Sequence, residues 1–250
     1  MRSADRKEIM AKINSVSWYH RYELLPGIVT PGRVNFDSGV VFQQYELPAD
    51  LTGTRVLDVG TLDGVMAFAA EARGADVTAL DIQDPNRTAF NTAKGILGSR
   101  VRYVQGSVYD AARLLSDQYD YIFFLGVFYH LKHPVLALEQ LHQVQPEGGR
   151  LVFEGECLLN RWEDTRGQVA GSDALRALAR LDVPIAAFYS GTFKSDDSNW
   201  FIPNPACLRG WFQAAGYKVV IEKLHDFPPN QRMGGVAQKV SAAPIEHRVF

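Results

Sequence analysis

The sequence predicts an α/β fold built on a doubly wound parallel sheet, and three observations predict it. Strand and helix patterns alternate between residues 55 and 155, as they must where helices cover both faces of a parallel sheet. An apolar run, Val56-Leu57-Asp58-Val59, breaks at Gly60 into the turn Thr61-Leu62-Asp63-Gly64 and then into a helical pattern. The following strand, Asp76 to Leu80, ends in an acid, Asp81. Strand, glycine turn, helix, strand and terminal acid make one nucleotide-binding βαβ unit, so the sheet is Rossmann-like.

The elements follow in order. Residues 5–15 predict an amphipathic helix, and residues 16–50, rich in Gly, Pro and aromatics, predict irregular chain. Residues 1–50 therefore form an N-terminal helix and lid segment, and residues 51–250 the main domain. Val56–Val59 is apolar enough to be buried on both faces. The next helix places Val65, Phe68, Ala69 and Ala72 on one side and stops at Gly74. The third strand is Val101 to Val104, the fourth Tyr121 to Leu125. A helix from Pro134 to Val144 turns Val135, Leu138 and Leu141 inward, and Gly148-Gly149 leads into a fifth strand, Arg150 to Glu154. Residues 160–195 mix a helix with a polar loop. Pro205 to Ala215 has proline at its start and Gly216 at its stop, the signature of a helix, and Lys218 to Glu222 reads as a strand. The stretch QRMGGVAQK, Gln231 to Lys239, reads as a glycine-rich tail.

Composition bounds the function. The 250 residues carry 26 Lys and Arg against 28 Asp and Glu, a net charge of −2. That balance lacks the overall basic footprint of a nucleic-acid binder. Two cysteines, Cys157 and Cys207, have neither metal nor disulfide spacing, which predicts a reducing, cytoplasmic setting. No apolar run approaches a membrane span, and no His, Cys or carboxylate cluster has metal-ligand spacing.

The glycine turn departs from the dinucleotide fingerprint, because position 62 is Leu where a glycine would be needed. Asp58 and Asp63 place negative charge beside the turn, which repels a pyrophosphate. A nucleoside without phosphate and with a cationic end suits it, and S-adenosylmethionine has that chemistry. Residues 60–64 resemble the first motif of class I S-adenosylmethionine-dependent methyltransferases, in the variant G-T-x-D-G. The expected cofactor residues lie at strand ends. Gly60, Thr61 and Gly64 supply the turn; Asp81 accepts the ribose hydroxyls and Ile82 packs on adenine. Ser107 and Val108, after the third strand, read the adenine edge, or Ser107 is a plain turn residue. Gly126 follows the fourth strand, close to the methyl. Asp58 either orients the turn or meets the methionine amino group through water. Without the cofactor, the same turn is simply a tight glycine turn in an α/β protein.

Three further segments narrow the resemblance: Trp18-Tyr19-His20 with Gly27 to Gly32, Gly126-Val127-Phe128-Tyr129-His130 with Pro134, and Asn199-Trp200-Phe201-Ile202-Pro203 leading to Leu208, Trp211 and Gly216. Together they look like the tRNA wobble-uridine (5-oxyacetate) methyltransferase-like family. The tRNA enzymes of that family carry a longer N-terminal region and a carboxylated cofactor, whose extra carboxylate is held by a Lys and a Tyr. Tyr129 matches the Tyr, and His20 stands where the Lys would be. Histidine is mostly neutral at pH 7, so ordinary S-adenosylmethionine is expected.

Methyl transfer needs a base only if the acceptor must lose a proton. His20 and His130 are the candidate bases; each is otherwise a loop histidine. Tyr129 is a candidate hydrogen-bond donor to acceptor or cofactor. Trp18, Tyr19, Phe193, Trp200 and Phe201 form an apolar wall for the acceptor, or belong to the core, Phe201 first among them. Arg232, with Lys239, would hold an acidic acceptor. The expected activity is methylation of oxygen or nitrogen on a small molecule. A tRNA methyl or carboxymethyl transferase and a non-catalytic nucleoside binder are the alternatives.

Overall fold

Two units, Met1–Asp110 and Ala111–Phe250, organise the chain; the computed structural model describes residues 3–163, 169–190, 193–194, 196–227 and 230–240. Seven long strands, three in the first unit and four in the second, carry the α/β fold, and they are mostly parallel.

The first unit opens with helix α1 (Ser3–Asn14). Ile13 is its buried anchor, and Arg6 donates to the carbonyl of Gly27 at 2.9 Å. The segment expected to be irregular is more ordered than its sequence suggests. It folds into four short strands, β1 (His20–Arg21), β2 (Glu23–Leu25), β3 (Ile28–Val29) and β4 (Val34–Asn35), and a helix, α2 (Ser38–Gln44). β1 pairs parallel with β4, and β2 antiparallel with β3. Strands of two or three residues show no periodicity to read. Thr30 holds them together: buried, it donates to the carbonyl of His20 at 2.7 Å and accepts from the amide of Tyr22 at 3.0 Å. Asp37 caps α2 through the amides of Gly39 and Val40, as an N-cap carboxylate should.

The predicted βαβ unit follows as β5 (Arg55–Val59), α3 (Val65–Glu71) and β6 (Asp76–Asp81); α4 (Phe90–Leu97), which the sequence reading did not single out, then leads to the predicted third strand, β7 (Arg102–Gln105). β5, β6 and β7 run parallel in that order, with Val56 opposite Val77 and Leu80 opposite Val104. Val56, Leu57, Val77, Ala79 and Leu80 are all buried, as strands covered on both faces require. A 3₁₀ turn, Val108–Asp110, ends this unit.

The second unit contains α5 (Ala111–Leu114), β8 (Tyr121–Leu125), a 3₁₀ turn at Phe128–His130, α6 (Pro134–Gln143) and β9 (Arg150–Glu156). Then come β10 (Arg161–Glu163), β11 (Val169–Gly171), α7 (Asp173–Arg180), β12 (Ala186–Phe188), β13 (Phe201–Pro203), α8 (Pro205–Ala214), β14 (Tyr217–Phe227) and β15 (Asn230–Lys239). β8 and β9 are parallel, β15 pairs antiparallel with β9, and β14 with β15.

The reading of Gln231 to Lys239 as a tail is corrected here. These residues lie in β15, hydrogen-bonded on both sides between β9 and β14, with Met233 to Ala237 buried. The glycines that made it look like a tail serve close packing. A Cβ on Gly235 would lie 2.0 Å from the carbonyl oxygen of Ile221 and 2.9 Å from the ring of Phe153. Only a bare α-carbon fits where β14 bulges between Val219 and Ile221. Among the described residues, no helix is long and apolar enough to cross a membrane.

Candidate active site

The first unit gathers three buried carboxylates around the glycine turn. The turn itself needs glycine at position 64. Its φ is +85°, and an added Cβ would stand 2.3 Å from Phe68 and 2.9 Å from Phe90. Alanine is excluded on both conformational and steric grounds. Leu62 also takes a left-handed conformation, φ +49°, and its strained amide is held by Asp81, whose Oδ2 accepts it at 2.9 Å.

Asp81, at the end of β6, is buried, and its Oδ1 accepts the amide of Gln83 at 3.0 Å. A carboxylate has about four acceptor sites, so both oxygens retain capacity for two ligand hydroxyls. Ile82 beside it is 69% exposed, an apolar surface without a protein cover of its own. Its backbone is fixed by Gln105, which donates to the Ile82 carbonyl at 3.2 Å, and by Tyr103, which donates to the Gln83 carbonyl at 2.9 Å.

Asp58 braces the turn from below. Its Oδ2 accepts from Thr61 Oγ1 at 2.7 Å and from the amide of Ala67 at 3.1 Å. Burial pushes its carboxyl up to about 6; these two hydrogen bonds oppose the rise and the charge of Asp81 adds to it. Ser107 Oγ accepts the amide of Tyr109 at 3.2 Å, which starts the 3₁₀ turn, and Val108 is buried.

Asp63 is fully buried and reaches out of the turn to the N-terminal segment. Its Oδ2 accepts the amides of Tyr19 at 3.2 Å and His20 at 2.7 Å, and its Oδ1 lies 2.6 Å from His20 Nδ1. His20 is thus held by a carboxylate, with the ring of Phe36 edge-on at 5.0 Å. No local pattern signals this pairing across 43 residues. Trp18 is 8% exposed, and its indole donates to the carbonyl of Ile13 at 2.8 Å; it packs as core. Tyr19 is 39% exposed, with the guanidinium of Arg33 over its ring at 5.0 Å.

The second unit holds the remaining residues. Gly126, just past β8, donates to the carbonyl of Glu154 at 2.7 Å. Tyr129 and His130 lie in the following turn, their rings 4.3 Å apart. The phenol of Tyr129 is pushed up to about 12, chiefly by burial. Arg232 stacks 5.6 Å over that ring. Arg232 is committed to other carboxylates: it pairs with Glu154 through Nε and Nη2 and with Glu156 through Nη1 at 2.7 Å. Lys194 completes the network, donating to Glu156 at 2.8 Å and to Asn230 at 3.2 Å. Glu154 and Glu156, at alternate positions of β9, point to one face of the strand; the sequence Glu-Gly-Glu carried that signal. Lys239 likewise spends its charge internally, on the carbonyls of His142 and Gln145 at 2.7 and 2.6 Å.

His130 Nδ1 lies 2.9 Å from Ser198 Oγ. Burial lowers its pKa below the ordinary histidine value, with Asp196 opposing the shift. Trp200, partly buried, donates its amide to the carbonyl of Tyr129 at 2.8 Å, and Lys132 lies 4.3 Å above its ring. Among the described residues, no three His, Cys, Asp or Glu side chains are grouped to hold a metal ion.

A parallel-sheet βαβ unit with a glycine turn and a strand-end acid is shared by several classes of nucleotide-binding protein, and the comparisons single out the class I S-adenosylmethionine-dependent methyltransferases. The chain belongs to the methyltransferase-domain family, whose model matches residues 41–222. It is 28% identical over 157 residues to the ubiquinone biosynthesis O-methyltransferase of Pseudomonas syringae pv. tomato, a match covering 61% of this chain and 64% of that protein. It is 25% identical over 171 residues to the tRNA U34 carboxymethyltransferase of Desulforapulum autotrophicum, covering 68% of this chain and 46% of that one. The chain thus spans less than two thirds of the length of these curated relatives. Among solved structures, the N-terminal domain of EvdMO1, determined with S-adenosylhomocysteine and D-fucose, superimposes with a TM-score of 0.64 at 17% identity, covering 96% of this chain and all of that one. Magnesium protoporphyrin IX methyltransferase from Synechocystis PCC 6803 gives 0.54 at 15% identity, covering 81% and 79%. These structures share the fold.

Proposed function

We propose that this chain transfers a methyl group from S-adenosylmethionine to an oxygen or nitrogen of a small-molecule acceptor. The observation that carries the reading is the buried Asp81 at the end of β6, which braces the glycine turn yet keeps acceptor sites on both oxygens. The residues present fit the cofactor. Asp81 would take the ribose hydroxyls, and Ile82 would lie against adenine. The acids Asp58 and Asp63, which have no Lys or Arg partner among the described residues, suit a cationic ligand. When bound, S-adenosylmethionine supplies the methyl group and an uncharged sulfur leaving group.

The remaining work falls to the protein. Most of the rate can come from holding the acceptor in line with the methyl. A base must take the acceptor proton where a hydroxyl oxygen attacks, or where a protonated nitrogen has to be freed of its proton before it can attack. His20 and His130 are both suited to this, because a partner at Nδ1 orients each ring. Tyr129, kept protonated by burial, would donate a hydrogen bond. The N-terminal segment, residues 1–50, would act as a lid that excludes water. Support comes from the tie of Tyr19 and His20 to Asp63 within the glycine turn itself. Trp18 serves as its packed anchor, and Tyr19 and Trp200 remain candidate acceptor contacts.

A tRNA acceptor is the second reading, favoured by the carboxymethyltransferase relative. Against it, Arg232 and Lys239 are tied up internally and the net charge is −2, whereas RNA binding needs several free cations for phosphates. Two measurements test the proposal. Calorimetry with S-adenosylhomocysteine should show Asp81→Ala weakening binding by about 1–3 kcal/mol, the value of charge-assisted hydrogen bonds; unchanged affinity would refute the site. Incubation with methyl-labelled S-adenosylmethionine, a pooled metabolite extract and bulk tRNA should label a small molecule. Label in the tRNA would favour the second reading.

A further inference from the structure

We propose that Ser198, steadied by Asp196, is a positioning residue that fixes the tautomer of His130 and so leaves Nε2 as its proton-accepting atom. The inference rests on the reading of His130 as a base, and on a count of protons. Ser198 Oγ lies 2.5 Å from Asp196 Oδ1 and 2.9 Å from His130 Nδ1. A hydroxyl has one proton to give, and an ionised carboxylate can only accept. The Ser198 proton is therefore spent on Asp196. Towards His130 the oxygen offers only lone pairs, so Nδ1 must carry the hydrogen and donate. In a neutral ring the lone pair then sits on Nε2. Free neutral imidazole prefers the opposite arrangement, so the protein is imposing this tautomer.

The chain is built to hold these atoms in place. Asp196 Oδ1 also accepts the amide of Ser198 at 2.9 Å, which locks the hydroxyl's own backbone. Two residues on, the amide of Trp200 donates to the carbonyl of Tyr129 at 2.8 Å, which ties this loop to the turn bearing His130. The ring of Tyr129 covers the imidazole at 4.3 Å. Hydroxyl, imidazole and carboxylate thus form a relay of the kind that holds a catalytic histidine, with a serine as the bridge. When Nε2 takes a proton, the positive ring donates more strongly to Ser198, and Asp196 is the anion behind it. Burial, the largest influence, and Arg232 oppose that protonated state, while Asp196, a hydrogen bond to the Ser198 backbone and Glu156 favour it. The ring is consequently neutral and ready before reaction.

The tautomer can be read without knowing the acceptor. Nitrogen-15 histidine spectra of the whole protein at pH 8, assigned with a His130→Gln variant, report which ring nitrogen carries the proton. The expected wild-type result is a protonated Nδ1 and an unprotonated Nε2. Ser198→Ala should move the ring to the opposite tautomer or to a mixture, and Ser198→Thr, which keeps the hydroxyl, should restore it. A wild-type ring protonated at Nε2, or a spectrum unchanged in Ser198→Ala, overturns the proposal. If Ser198→Ala fails to fold, the wild-type spectrum and the Thr variant still decide. Methyl transfer plays no part in this measurement, so its outcome is separate from failure of the methyltransferase reading.

Discussion

The two units bury their carboxylates in opposite ways. Around the glycine turn, Asp58, Asp63 and Asp81 are sunk without a Lys or Arg partner among the described residues; backbone amides, the Thr61 hydroxyl and the His20 ring satisfy them. In the second unit, Glu154 and Glu156 are matched by Arg232 and Lys194. Burying an ion pair costs desolvation on both sides and returns it through close geometry. Burying anions on neutral donors instead leaves negative potential and spare lone pairs. The first arrangement is unfinished in a way that a cationic nucleoside would complete; the second is finished by the protein itself. That contrast is why Arg232, an attractive anion binder by residue type, is a poor one in place.

The contrast can be broken first at its strongest point. Arg232→Met would leave two acids facing each other, and we expect a stability loss on the order of 3 kcal/mol, read by urea unfolding at pH 7. A loss below about 1 kcal/mol would mean that the network is solvent-screened like a surface pair. Asp63→Asn should cost somewhat less, about 2 kcal/mol, because one side-chain oxygen still accepts and no Lys or Arg is stranded. Its signature is local: hydrogen exchange at the amides of Tyr19 and His20 should speed up, while β8 and β9 stay protected.

Asp58 sharpens the comparison through pH. Its carboxyl is raised to about 6 in the folded state, above the unfolded value, so the folded protein binds the extra proton between about pH 4 and pH 6. Stability relative to Asp58→Asn should therefore fall as pH rises through that window and level off above it, a change on the order of 2–3 kcal/mol. A difference that does not vary with pH would place Asp58 in a solvated site. His130 should show the smallest effect and the opposite slope. Its pKa is lowered by burial, so the unfolded state binds more protons below about pH 6.5. Stability relative to His130→Gln should rise towards that pH, by under about 1 kcal/mol. A fall would show that Asp196 outweighs burial.

The two candidate bases differ in the same terms. His20 is held directly by a buried carboxylate, and His130 by a hydroxyl that relays to one. Residue type and place in the chain suggested both histidines, His130 just after the fourth strand and His20 in the aromatic N-terminal loop, but neither partner at Nδ1 was visible there. Asp63 was visible as a negative charge beside the turn, but not as the acceptor that anchors residues 19 and 20. Ser198 lay in an ordinary polar stretch, and only its closeness to a ring 68 residues away gives it a role.

The primary sequence by itself determined the βαβ unit, because its information is local. Apolar runs, glycines at the turn and an acid at a strand end are each readable within a few residues, and β5, α3, β6, β8 and α6 fall within a residue or two of their expected bounds. Tertiary structure decided everything that depends on distant partners. It turned the glycine-rich Gln231–Lys239 segment into an interior strand, because Gly235 admits the Ile221 carbonyl. It ordered the short strands of residues 20–35, too brief to carry a period. It also settled which charges are free, since a side chain's type sets what it can bind, while only its neighbours in space set what it has left to offer.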